Sequence, residues 1–63
     1  MATKTNEQVK QGFAQFVLPS LRKDFGSNQE AHALAWRKWV GRCVNDGLIT
    51  QAQYQELVAS PPA

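Results

Sequence analysis

Apolar residues recur along this chain at the three- and four-residue steps of amphipathic helices, in three blocks separated by glycine-bearing turns. On a 100° wheel Val9, Phe13, Phe16, Val17 and Leu21 share one arc, while Glu7, Gln8, Gln11 and Gln15 lie opposite. This pattern predicts a first helix over about residues 6–18. Pro19 has no amide hydrogen and its ring crowds the carbonyl four residues back, so the helix is expected to kink or restart there. A further turn over about 19–25 then closes on Gly26 in a left-handed conformation. In the second helix, about 28–45, His32, Ala35, Trp36, Trp39, Val40, Cys43 and Val44 cover close to half the circumference. One neighbour cannot bury so wide an arc, which makes this helix the hub of the domain. The third helix, about 51–59, turns Tyr54, Leu57 and Val58 inward and is expected to stop at Ser60-Pro61-Pro62.

Capping residues agree with these starts. Thr5 is followed three residues on by Gln8, Ser27 by Glu30, and Thr50 by Gln53, each a capping-box spacing. Ile49 and Tyr54 stand where a hydrophobic staple would hold the third start. Asp46-Gly47 ends the second helix, with Gly47 in the left-handed cap and Leu48 folding back on the last turn. No strand pattern or repeat interrupts the series. The expected fold is all-α, a compact three-helix domain over residues 1–63 with its first helix kinked or split at Pro19.

Size and charge narrow the function without naming it. Sixty-three residues make one domain with a small core, which leaves support from a partner or a second copy open. Cys43 is the single cysteine, so no internal disulfide forms, in keeping with a reducing cytosol. The stretch Met1 to Glu7 is polar and lacks the apolar core of a signal peptide, and no apolar run is long enough to span a bilayer. A cytoplasmic protein with no membrane contact is expected. The formal charge of +2 is too slight to indicate nucleic acid by itself.

Catalytic and metal chemistry lack their parts. His32 and Cys43 are the only residues of their kinds and stand eleven positions apart on one helix, about 16 Å along its axis. They form no dyad, and together they give too few ligands for a metal. The five carboxylates are scattered and no glycine-rich phosphate loop occurs. No enzyme activity, cofactor or metal is expected.

The motifs in the middle of the chain carry a resemblance. Phe16-Val17-Leu18-Pro19 leads to Phe25-Gly26, then Ala35-Trp36-Arg37-Lys38-Trp39, then Cys43-Val44-Asn45-Asp46-Gly47-Leu48-Ile49-Thr50-Gln51-Ala52-Gln53-Tyr54. In these features, over residues 16–54, the chain resembles a group of short bacteriophage proteins without an assigned chemistry. The resemblance implies a phage or prophage origin and expression inside a bacterial cell.

Three binding readings follow. The lead is an accessory protein that binds and modulates a host or phage protein. On the polar side of the second helix Leu34 stands in a row with Lys38 and Arg42, Gly41 lies alongside, and Leu18 is a candidate companion from the first helix. The first alternative is a nucleic-acid-associated regulator using Arg22, Lys23, Arg37, Lys38 and Arg42, with Trp36 or Trp39 as a stacking face. A helix-turn-helix is disfavoured: aligning Gly47 with the motif's glycine puts Arg42, Asp46, Gln53 and Glu56 at its apolar positions. The second alternative is a homodimer in which the wide arc of the second helix is partly shared between copies.

Overall fold

The computed structural model describes residues 3–60. Pro61 and Pro62, expected to stop the last helix, lie outside the described residues, as do Met1 and Ala2 of the polar amino terminus. The chain forms α1 (Asn6–Gly12), a π-helical turn (Phe13–Val17), α2 (Leu18–Phe25), α3 (Gln29–Asn45) and α4 (Gln51–Ala59). These build a three-helix domain whose first arm is assembled from α1, the π turn and α2. No strand occurs among the described residues.

The first arm is split near Pro19, as expected, and the break takes a specific form: a π turn precedes α2, and the proline sits in the first turn of α2. The Leu18 amide donates five residues back to the Phe13 carbonyl, so the backbone winds wider just ahead of the ring. That extra residue shifts the phase of everything after it by about 100°. In an unbroken α-helix Ser20 and Asp24 would follow Phe13 and Val17 into the interior. With the slip, Leu18, Leu21 and Phe25 continue the Val9–Phe13 side instead. Leu18 is therefore core, only 7% exposed, and Phe16, expected inside, is 68% exposed.

The caps explain the remaining boundaries. Thr5 and Thr50 each accept from the amide three residues on, and Gln8 and Gln53 each return a side-chain oxygen to the cap amide. The expected Ser27–Glu30 box is absent; Asn28 caps α3 by accepting from the Ala31 amide at 3.2 Å. The cause is the turn before it. Asn28 donates back to the Phe25 carbonyl, and Gly26 has φ 61° and ψ −125°, the first central position of a type II′ turn. Ser27 is thereby used inside the turn, and the extended cap position falls to Asn28. Gly26 has the positive φ expected of it, but its ψ is not that of a left-handed helical cap.

At the far end of α3, Gly47 adopts φ 75°, its amide reaches the Val44 carbonyl, and the Leu48 amide reaches that of Cys43. This is the paired bonding of a Schellman cap. The core joins Val9, Phe13, Leu18 and Leu21 from the first arm to Trp36, Val40 and Cys43 of α3, with Ile49 and Leu57 closing it. Phe13 is its aromatic centre, edge-on to Trp36 at 5.0 Å and to Trp39 at 6.4 Å between ring centroids. Both indoles are also tied by their N–H groups. Trp36 Nε1 donates to the Leu57 carbonyl at 2.7 Å in the last turn of α4, and Trp39 Nε1 to the Val9 carbonyl at 3.1 Å.

A candidate protein-contact site

Two features of α2 and α3 leave a gap between them. Ala31 and Ala35 are small residues four apart, on the side of α3 that meets α2. Opposite them the phase slip turns Leu21 and Phe25 the same way, with Leu21 buried as the floor. The result is a groove of about 260 Å³ lined by Leu21, Phe25, Ala31, Leu34, Ala35 and Lys38. Its rims are two large apolar side chains held in solvent, Phe25 at 54% exposure and Leu34 at 56%. Lys38 is its single charged wall. At this size the groove is smaller than the roughly 300–1,000 Å³ of a small-molecule cleft. It suits one or two anchoring side chains of another protein.

No protein-family model, curated protein or solved structure matches this chain.

The structure divides the residues singled out from the sequence. Leu34 and Lys38 lie together in the groove. Leu18 does not belong with them: the π turn rotates it into the core, and its place as the companion apolar residue is taken by Phe25. Arg42 and Gly41 lie further along α3, outside the groove lining. Arg42 faces Asp46 at 3.8 Å in an exposed pair one turn apart, a contact worth little in solvent. Phe25, Ala31 and Ala35 were not among the contact residues read from the sequence. The wheel carried one period from Val9 through Leu21, so the one-residue slip that brings Phe25 to the groove went unread.

The basic side chains of the nucleic-acid alternative, Arg22, Lys23, Arg37, Lys38 and Arg42, are all exposed. The stacking face they need is not: Trp36 is buried, and Trp39 is half-buried with its N–H engaged by Val9. The wide arc of α3, offered above to a homodimer, is covered within the monomer by the first arm and α4.

Elsewhere the titratable groups serve the fold. His32 Nε2 donates to the Gly26 carbonyl at 3.0 Å, pinning the α2–α3 turn. Cys43 is buried, and that burial pushes its thiol pKa up; nearby Asp46 adds to the rise while Lys4 and Arg42 oppose it. A thiol held protonated is a poor nucleophile. Among the described residues no three His, Cys, Asp or Glu side chains converge as metal ligands, and no helix is long and apolar enough to cross a membrane.

Proposed function

We propose that this protein acts by binding rather than by catalysis, as a phage-type accessory protein that modulates the protein it engages through the α2–α3 groove. The observation that carries the reading is the pair of exposed apolar rims, Phe25 and Leu34, around a groove that no described residue fills. Exposed large apolar groups side by side are costly to keep in water and mark contact surfaces when they flank a pocket. Lys38 at the wall selects for a partner whose apolar anchor is accompanied by a carboxylate.

The test is capture of proteins from bacterial lysate by the tagged chain, after nuclease treatment, beside Leu34→Glu. The reading expects a discrete protein retained by the natural chain and lost with the variant. Leu34 is exposed and outside the core, so the variant should keep its stability within about 0.5 kcal/mol. Recovery of nuclease-sensitive material alone, or capture indifferent to Leu34, removes the reading.

A further inference from the structure

We infer that a second copy of this chain docks on the outward face of α3, antiparallel to the first, with Leu34 at the two-fold axis. The inference rests on the reading of this face as a contact surface and names an occupant for it.

The outward face is fixed by the core. Cys43, buried, lies nine residues from Leu34, half a turn around the helix, so Leu34 stands on the solvent side of α3, at the rim of the groove. Four residues to either side on the same face stand Glu30 and Lys38, both exposed. Among the described residues the ion pair formed is Arg42–Asp46, and neither Glu30 nor Lys38 is paired with a described residue.

A helix laid antiparallel on its own copy about residue 34 sets each position against its mirror: 30 meets 38, and 38 meets 30. Glu30 of each copy then faces Lys38 of the other, twice, with the two leucines between them. Two other arrangements of the same face oppose like charges. A parallel pair sets Glu30 against Glu30 and Lys38 against Lys38. An antiparallel pair centred midway between Leu34 and Gly41 sets Arg37 of each copy against Lys38 of the other. The antiparallel arrangement about Leu34 is thus self-complementary in charge, as a two-fold interface requires.

The relief of the surface fits close approach. Gly41 lies on this face, and a Cβ added there would meet nothing within 4 Å in the chain, so the backbone is bare on that side. Phe25 and Leu34 supply the apolar area at the α2 edge.

Charge exchange tests the inference by sedimentation equilibrium over a range of concentrations. The natural chain should pass from monomer to dimer. Glu30→Lys and Lys38→Glu should each weaken self-association by about tenfold, because two attractive contacts become repulsive. Mixed together, the two variants should pair with each other, since one then presents only lysines and the other only glutamates. The double variant carrying both changes should recover the natural association in the antiparallel register. Circular dichroism of each variant confirms the helices are intact. A concentration-independent monomer, or variants that fail to pair on mixing, overturns the inference. If the chain stays monomeric while Leu34-dependent capture of another protein persists, the contact surface stands and the second copy does not occupy it. Dimerisation without any captured protein has the opposite meaning.

Discussion

Gly12 and Gly41 occupy similar helical positions and do opposite things. A Cβ on Gly12 would come within 3.1 Å of Trp39 Cζ2, and that indole is held by its bond to Val9 and by Phe13. Gly41 has open space. Alanine normally stabilises a helix interior by about 0.5–1 kcal/mol over glycine. Gly41→Ala should show that gain in urea unfolding. Gly12→Ala should instead lose about 1 kcal/mol as the indole is displaced. A gain at both positions would mean that Trp39 is loosely held. Cys43 gives a pH prediction at the same scale. Its folded pKa is raised, chiefly by burial, so the unfolded chain gives up its proton first as pH rises. The stabilising contribution is complete below the ordinary thiol range and is lost above about pH 8.5. A Cys43→Ala variant, compared by melting between pH 7 and 10, should show a shallower alkaline decline.

The π turn makes one helical arm out of two phases. Val9 and Phe13 set the first and Leu18, Leu21 and Phe25 the second, and one surplus residue between them reconciles the two. Ala14 is an exposed member of that turn. Deleting it should convert the arm into a continuous α-helix with the same residues inward, leaving the melting transition cooperative and near its natural temperature. Deleting Arg37, also exposed, from α3 should unfold the protein, because Trp39, Val40 and Cys43 would turn about 100° relative to Trp36. Equal damage from both deletions would show that the phases are not separable. The same slip explains what the sequence disclosed and what it hid. Helix starts with a hydroxyl and a glutamine three residues apart were legible because the cap is a local bond. Ser27 failed as a cap because its neighbour Gly26 committed it to a turn, which no spacing rule weighs. Phe16 and Leu18 were exchanged because a wheel assumes one period, and this arm has a break in it.

For the molecule as a whole, the wheel located Leu34 and Lys38 correctly on the outer side of α3, since that helix is regular from Gln29 to Asn45. It could not supply the opposite wall of the groove, which depends on how two helices meet. That wall comes from the α2 side of the phase slip. The proposed partner and the proposed second copy would use one surface, so local concentration of the chain would set how much of it is free to engage another protein. A separate feature governs how the domain comes apart. The amides of Thr3 and Lys4 donate to the Leu48 carbonyl, and Gln53 Nε2 reaches both the Lys4 carbonyl and Asn6 Oδ1 at 3.1 Å. The residues ahead of α1 are thus latched across the α3–α4 turn, stitching the earliest described part of the sequence to one of the latest. Opening α4 and releasing the segment before α1 become one event. Hydrogen exchange at Thr3 and Lys4, outside any helix, should slow in step with the α4 amides. Gln53→Glu keeps the oxygen that caps α4 but loses the latch, and should speed exchange at those two amides while α3 remains protected.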